Sequence, residues 1–246
     1  MMVDEFVKGD ARMAGEATPR RERYRRETIE EAKERALAQI AAHGAGSLSL
    51  NAIAREMGMT GPALYRYVGS RDELLTELVV AAYDELGDAL WRDLEATAGQ
   101  SPEQRQRAQA WAYRNWALAN PQRFLLIFGT PVPGYQAPIE RTVPAAQRVM
   151  AASIALLADG DLPSRSATTD PYVRELEAWA DAAGMPPLPG ILLHQAIIGW
   201  TRLHGVLSLE LEGHFKVGLP DPERVFAAEV DALIREYEAA LESLRT

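Results

Sequence analysis

LSLNAIAREMGMTGPALYRYVGSRDELL, residues 48–75, predicts two short helices joined by a tight turn and followed by the start of a longer helix. Ser49 and Thr60 can each cap a helix, because a side-chain oxygen at that position accepts from a free backbone amide. Gly58 stands where the first helix needs a left-handed residue to end. Pro62 suits the first turn of the second helix, which needs no N–H there. This order is the helix-turn-helix layout, whose second helix enters the major groove of DNA.

The second short helix, from about Gly61 to Tyr67, carries the expected base contacts. Arg66 is its one long donor able to reach a guanine edge. The small residues at its N-terminus allow the backbone to approach the bases, and these are Gly61, Pro62 and Ala63. Candidate phosphate contacts offer a hydroxyl, a free helix amide or a positive charge, and these are Ser49, Thr60, Tyr65, Tyr67 and Arg71. The alternative for either tyrosine is packing in a small three-helix core.

The charge distribution favours this interpretation, although the whole chain has a net charge of −9. Residues 19–71 contain ten Lys and Arg against six Asp and Glu, whereas residues 72–246 contain 14 against 25. The basic excess therefore lies on and just before the helix-turn-helix, where phosphate contacts are needed. The acidic remainder discourages indiscriminate binding of nucleic acid by the rest of the surface.

A run of arginines precedes the helix-turn-helix and includes Arg20, Arg21 and Arg23. Such a run can be no more than a solvated helix end. Beside a helix-turn-helix, however, it can also form an arm that lies along phosphates or enters the minor groove. We expect the second arrangement.

The composition predicts an all-α protein, because Leu, Ala, Glu and Arg are abundant and alternating β-branched runs are nearly absent. The absence of cysteine excludes disulfides, a thiolate nucleophile and cysteine-based metal sites. The N-terminus has acidic residues and no apolar core, which argues against a signal peptide. The longest apolar-rich stretch, residues 191–200, is too short to span a bilayer. We therefore expect a soluble cytoplasmic protein without a membrane partner.

Three segments are expected along the chain. Residues 1–18 lack periodicity and predict a disordered leader, residues 19–80 form the DNA-binding domain, and residues 81–246 form a larger helical domain. Ser70 to Glu73 is a capping box that opens a helix reaching about Thr97. Because this helix starts in one domain and ends in the other, it is the expected element of transmission between them.

The last two helices have the pattern expected of a dimer interface. Residues 190–212 carry two apolar stripes on adjacent faces, and the final helix has apolar residues at alternating spacings of four and three. The interface candidates are Leu192, Ala196, Gly199, Leu203, Phe226, Val230, Leu233 and Tyr237. The alternative is packing within one chain. A dimer is favoured because a helix-turn-helix protein needs two-fold symmetry to read a palindromic site.

The basic first helix, the run ALYRYVGSRDELL at residues 63–75 and the acidic all-α remainder together resemble a TetR-family transcriptional regulator. The DNA-binding resemblance covers about residues 20–80. It implies a homodimer that pairs through its last two helices, binds a double-stranded DNA operator and responds to a small-molecule effector.

A looser resemblance covers roughly residues 100–215. WTRLHG at residues 200–205, with GTPVPGYQAP at residues 129–138, resembles the subgroup of the family whose C-terminal domain is named for Trp, His and Gly. Aromatic and histidine side chains are the candidates for an effector pocket, and these are Trp111, Trp116, Phe128, Tyr135, Trp200 and His204. For each of them a place in the core is the alternative.

Catalysis has little support in the sequence. The four histidines show no zinc-protease spacing, and neither a nucleophile elbow nor a phosphate-binding glycine loop is present. We expect no catalytic residue, no cofactor and no metal. The favoured hypothesis is a repressor that a small, mostly apolar effector releases from a palindromic operator. The alternatives are a DNA-binding factor that responds to no ligand and an enzyme acting on a small aromatic compound.

Replacing Arg20, Arg21 and Arg23 by Gln should weaken binding to all DNA sequences alike. For every arginine that neutralises a phosphate, its removal should reduce the slope of log affinity against log salt by about 0.9. DNA affinity measured across a salt series checks this, with Arg235→Gln in the acidic part of the chain as the control. An unchanged slope for the triple variant would exclude the arm from the interface.

Overall fold

The protein is described by a computed structural model over residues 4–129, 132–158, 162, 170–185, 187–216, 218 and 220–245, with side chains from residue 20 to residue 244 of those ranges. This part of the chain is helical without any strand, which confirms the all-α prediction. Its α-helices are α1 (Asp4–His43), α2 (Leu50–Glu56), α3 (Gly61–Val68), α4 (Arg71–Ala96), α5 (Pro102–Ala119), α6 (Pro121–Phe128), α7 (Ile139–Leu157), α8 (Pro171–Ala182), α9 (Gly190–Leu211) and α10 (Pro222–Arg245).

The N-terminal helix is longer than the sequence suggested. α1 begins at Asp4 and includes most of residues 1–18, for which we expected a disordered leader. The arginines expected to form an arm before the first helix therefore lie within it. Residues 4–18 contain three Ala and two Glu, and these residues favour helix. Residues 159–170, DGDLPSRSATTD, predict a mobile surface loop and lie almost wholly outside the described residues.

The chain divides into two compact units. The first unit contains Met1–Leu78 and Pro131–Gln136, and the second contains Val79–Thr130 and Ala137–Thr246. The sequence placed this boundary between residues 80 and 81 and assigned the whole loop at residues 129–138 to the second domain. α4 is one continuous helix that starts in the first unit and ends in the second.

The core of the first unit joins α1, α2, α3 and the start of α4. Its fully buried apolar side chains are Ala32, Ala36, Ile53, Ala54, Leu64, Leu74 and Leu75. Leu64 and Val68 are both buried on α3, and because they are four residues apart they lie on one face of that helix. The remaining faces of α3 are therefore free to carry polar side chains.

Two apolar clusters form the core of the second unit. One contains buried residues of α4, α5, α6, α7, α9 and α10, among them Leu86, Trp116, Phe124, Leu207 and Phe226. The other contains buried residues of α7 to α10, among them Ile154, Leu176, Leu192, Leu193 and Tyr237. Within the described residues no helix combines the length and the apolar content that crossing a bilayer requires.

A buried ion pair joins two helices of the second unit. Arg114 Nη2 of α5 lies 2.7 Å from Glu210 Oε1 of α9, and both side chains are largely buried. The guanidinium carbon of Arg114 also lies 5.5 Å from the ring centre of Trp111 and 5.8 Å from that of Phe226. Such a pair holds α5 and α9 in place, because moving one helix away would leave a buried charge on the other without compensation.

The helix starts follow the capping signals in the sequence. Ser101 accepts a hydrogen bond from the Gln104 amide at 3.2 Å, and the Gln104 side chain accepts one from the Ser101 amide at 3.1 Å. This reciprocal capping box satisfies two amides that the first turn of α5 would otherwise leave unpaired.

Ser101→Ala should lower the free energy of unfolding by about 1 kcal/mol, because it removes the cap of α5. Ser101→Asp is the matched control and should keep most of the stability, since aspartate is an equally good capping residue. Urea denaturation at one fixed protein concentration measures both. Equal destabilisation by the two variants would contradict the capping role.

Candidate nucleic-acid interface and ligand pocket

α3 is built to present its outer face. Thr60 caps it by accepting from the Ala63 amide at 3.3 Å, and Pro62 lies in its first turn. Because Leu64 and Val68 point into the core, Tyr65 and Arg66 lie on the exposed side, with 43% of Tyr65 accessible. These are the positions from which a hydroxyl and a guanidinium can contact a phosphate and a base edge.

The turn between α2 and α3 depends on glycine. Ser49 caps α2 through the Ala52 amide at 3.4 Å, as the sequence predicted. Gly58 takes a positive φ of 67°, which favours glycine. A Cβ atom at Gly61 would overlap the side-chain oxygen of Asn51, so glycine allows the start of α3 to approach α2 closely. Gly61 therefore has a packing role as well.

Arg25 of α1 binds the C-terminal end of α3, a role that the sequence did not indicate. Its guanidinium donates to the carbonyl oxygens of Arg66 and Tyr67, each at 3.3 Å. It also lies 5.9 Å from the ring centre of Tyr67, whose ring is 6.5 Å from that of Tyr24. Tyr67 therefore packs against α1 with its ring, and a phosphate contact by its hydroxyl stays a prediction.

Arg71, a candidate phosphate contact, is engaged within the first unit. Its guanidinium donates to the carbonyl oxygens of Leu48, Ala45 and Gly46 at 3.2–3.3 Å, and it lies 3.3 Å from the carboxylate of Asp72. These bonds hold the connection between α1 and α2, which includes a 3₁₀ turn at Ala45–Ser47. They use donors that a phosphate contact would also need.

The arginines at positions 20, 21 and 23 are exposed on α1. Arg23 makes a 3.8 Å ion pair with Glu27 one turn along the same helix. An exposed pair of this kind contributes little to stability and is easily exchanged for another partner. These side chains are therefore available to a phosphate backbone.

Tyr135 was a candidate for the effector pocket, but the structure places it in the first unit. Its hydroxyl lies 3.0 Å from Thr76 Oγ1, and Thr76 is buried in α4. The Thr76 hydroxyl donates its one hydrogen to the Asp72 carbonyl at 2.8 Å, so the Tyr135 hydroxyl supplies the hydrogen of the other bond. Tyr135 thereby fastens residues 132–136 to α4 within this unit.

The second unit contains a pocket of about 130 Å³ between α4, α5, α7, α9 and α10. Most of its lining is apolar, and those residues include Leu90, Ala110, Val149, Leu156, Leu157, Ala196, Gly199, Leu203, Val230, Leu233 and Ile234. Its polar lining residues are Gln106, Gln109, Tyr113, Ser153, Gln195 and Tyr237, and Trp200 lies at its edge with 39% of its surface exposed. A mostly apolar concavity with a few polar groups is the usual form of a small-molecule site.

Of the six residues expected to bind a ligand, Trp200 alone lines this pocket. The ring of Trp111 lies 5.4 Å from that of Phe226, and Trp116 is buried in the same cluster. Phe128 packs on His204 at 4.9 Å between ring centres. These side chains therefore occupy the core positions that were the stated alternative.

His204 lies next to the pocket and is bonded on both ring nitrogens. Nδ1 is 3.2 Å from the Tyr113 hydroxyl and Nε2 is 3.3 Å from the Ser208 hydroxyl. Burial lowers the pKa of His204 and raises that of Tyr113, so both side chains are neutral near pH 7. The pair can therefore anchor the pocket wall without placing a charge there.

Most of the residues expected to pair two subunits are buried within one chain. Leu192, Phe226, Val230 and Tyr237 are almost completely inaccessible, and Ala196 is also buried. Gly199, Leu203 and Leu233 are partly buried and line the pocket. The two apolar stripes thus serve the packing of α9 against α10 and the lining of the pocket.

Sequence reasoning did not identify the polar residues of the pocket. Gln195 interrupts the apolar run at residues 191–200, and that interruption was the available signal. Among the described residues, no three His, Asp or Glu side chains are grouped closely enough to hold a metal ion.

Two family profiles match the chain. One, described as bacterial regulatory proteins of the tetR family, matches residues 34–78. The other, described as a tetracyclin repressor-like C-terminal domain, matches residues 106–233. Neither confirms the narrower resemblance to the Trp-His-Gly subgroup.

Individual proteins agree with these profiles. The HTH-type transcriptional regulator Rv1816 of Mycobacterium tuberculosis is 39% identical over 202 residues, covering 80% of this chain and 86% of that protein. The crystal structure of SCO4313, described as a regulatory protein, has a TM-score of 0.74 at 45% identity and covers 86% of this chain and 97% of its own. The TetR-family regulator PfmR of Thermus thermophilus has a TM-score of 0.53 at 18% identity, covering 85% and 97%, which shows the fold alone. These matches are to regulators and not to an enzyme family.

Arg66→Ala should weaken binding to a specific DNA site by about 1–3 kcal/mol and relax preference at one base position, because it removes the long donor on the exposed face of α3. Tyr65→Phe is the matched control, since it removes only a hydroxyl expected at a phosphate. Tyr65→Phe should weaken binding to all DNA sequences equally. Binding to a panel of single-base variants measures both, and an unaltered preference in Arg66→Ala would show that another residue reads the base.

Proposed function

This chain belongs to the TetR family of bacterial transcriptional regulators, and on that basis we propose that it is a homodimeric repressor that a small molecule releases from its operator. The observation that carries the proposal is the exposed face of α3. That face presents Tyr65 and Arg66 in the basic part of an otherwise acidic chain. We assign the protein to the cytoplasm, where its operator would lie.

A homodimer would place two copies of α3 in successive major grooves, about one helical turn apart. Membership of the family supports this arrangement, and the two-fold symmetry of a palindromic operator requires it. Since the apolar stripes of α9 and α10 are buried within the chain, the two subunits would pair through the outer faces of these helices. Trp200 and Leu209 are the large apolar side chains that α9 exposes.

Ligand control would act through α4. This helix contributes Leu90 to the pocket, and its first residue, Arg71, holds the connection between α1 and α2. A ligand that changes the position of α4 would therefore change the spacing of the two α3 helices and lower operator affinity. Such coupling requires the ligand to bind the two conformations with different affinities.

The resemblance to the Trp-His-Gly subgroup fits this proposal without being needed for it. Trp200 lines the pocket, and His204 anchors Tyr113 in its wall. We propose that these two residues act in the C-terminal domain by shaping the pocket, Trp200 directly and His204 through Tyr113.

Selection of bound fragments from a random DNA library, repeated with a panel of small neutral metabolites, tests the proposal. We expect a palindromic consensus with half-sites about one helical turn apart, and loss of bound DNA with at least one compound. A ligand present at 100 times its dissociation constant should also add about 2.7 kcal/mol to the stability of the protein.

Each rival function predicts a different outcome of this experiment. A consensus without two-fold symmetry would contradict the dimer. Compounds that neither stabilise the protein nor release DNA would favour a factor that responds to no ligand. Steady turnover of a bound compound by the purified protein would favour an enzyme.

A further inference from the structure

The pocket of the second unit limits the charge of any ligand. None of the described residues that line it is Asp, Glu, Lys, Arg or His. A charged group inside it would lose its hydration and gain no opposite charge in return, which is strongly unfavourable. The part of the ligand that lies in the pocket is therefore uncharged at the pH where it binds.

The volume of the pocket limits the size of the ligand. At about 130 Å³ it is close to an apolar cavity of roughly 150 Å³, which admits a molecule as large as benzene. Since most of the wall is aliphatic, the buried part of the ligand is an apolar body of about one ring.

Several polar groups around the pocket already have partners. The Tyr113 hydroxyl bonds to His204 Nδ1 at 3.2 Å, and the Tyr237 hydroxyl donates to the Leu157 carbonyl at 2.7 Å. The amide nitrogen of Gln109 donates to the Ala152 carbonyl at 3.3 Å. These bonds hold the wall together and leave the groups engaged.

The side-chain oxygen of Gln195 differs from them. It is buried and has no hydrogen-bond partner among the described residues, although Gln195 lines the pocket. A buried carbonyl oxygen without a partner destabilises the folded state, and it can be satisfied only by a group that donates. This oxygen is inaccessible in the present conformation, so a ligand reaches it only when the Gln195 side chain turns toward the cavity. An acceptor so placed selects for a donor on whatever enters.

We propose that this pocket binds a small neutral molecule with an apolar body of about one ring and one hydroxyl or N–H group, which donates to Gln195 Oε1. This deepens the proposed function and rests on it, because it names the chemical class of the effector and the residue that recognises it.

Three probes of similar size test the class on the full-length protein at pH 7. Phenol carries the donor, toluene has a methyl group in its place, and benzoate adds a charge. Phenol stays neutral at this pH because phenolic pKa values lie near 10. Dissociation constants from ligand-observed NMR titrations should show phenol binding about 3- to 10-fold tighter than toluene, the ratio expected of one neutral hydrogen bond. Benzoate should not bind measurably.

Gln195→Met tests whether Gln195 accepts the hydrogen bond from the ligand. Methionine keeps the length of the side chain and removes the unpaired carbonyl, so the free protein should melt at a higher temperature while phenol loses its advantage over toluene. A purely structural glutamine would instead lower the melting temperature when replaced. Gln122→Met on α6, outside the pocket lining, is the matched control and should preserve the ratio.

Gly199→Ala provides a second variant that should fold. A Cβ atom at Gly199 would lie 3.8 and 3.9 Å from the two Leu233 methyl carbons, which is ordinary contact, and alanine favours helix. The added methyl group narrows the pocket and should weaken the binding of phenol and the binding of toluene to the same extent. Equal affinities of phenol and toluene for the unmodified protein, tighter binding of benzoate, no binding of any probe, or an unchanged ratio in Gln195→Met would each overturn the proposal.

DNA affinity, measured separately, distinguishes failure of this proposal from failure of the proposed function. If phenol binds through Gln195 but leaves operator affinity unchanged, the pocket assignment holds and control by a ligand in this pocket fails. If an operator-releasing compound acts equally well on Gln195→Met, ligand control holds and the pocket assignment fails.

Discussion

The burial of Leu64 and Val68 is the constraint on which the first unit depends. Two large side chains one turn apart fix the rotation of α3 about its own axis. Once that rotation is set, Tyr65 and Arg66 have to face outward. The hydrogen bonds from Arg25 to the end of the same helix then fix its position along α1. The two exposed side chains are therefore positioned by residues on the buried face of α3 and by Arg25 at its end.

The second unit uses buried polar groups to similar effect. The ion pair between Arg114 and Glu210 sets α5 against α9, two of the helices that enclose the pocket. His204 joins the same helices through Tyr113. Because the charges of Arg114 and Glu210 pair with each other and His204 is neutral, no charge is presented to the pocket wall by these groups.

Local chemistry explains what the sequence could predict. The caps at Ser49, Thr60 and Ser101 and the turn at Gly58 involve residues a few positions apart, so spacing alone reveals them. The partners of Arg71 are 23 to 26 residues away, and no spacing rule connects a guanidinium to such carbonyls. For the same reason the apolar stripes of α9 and α10 indicated burial correctly without showing whether the partner was the same chain or another. The pocket and Tyr135 depended on contacts between distant helices and loops, which periodicity does not contain.

The hydrogen bond between Tyr135 and Thr76 has a consequence for how this fold can be divided. Residues 131–136 belong to the first unit although α6 and α7, which flank them, belong to the second, so the chain crosses between the units three times. A fragment ending at Leu78 would lack the tyrosine that completes the polar contact of Thr76. The DNA-reading part is thus not a detachable N-terminal module. Grafting it onto a related regulator would require transplanting this loop together with it.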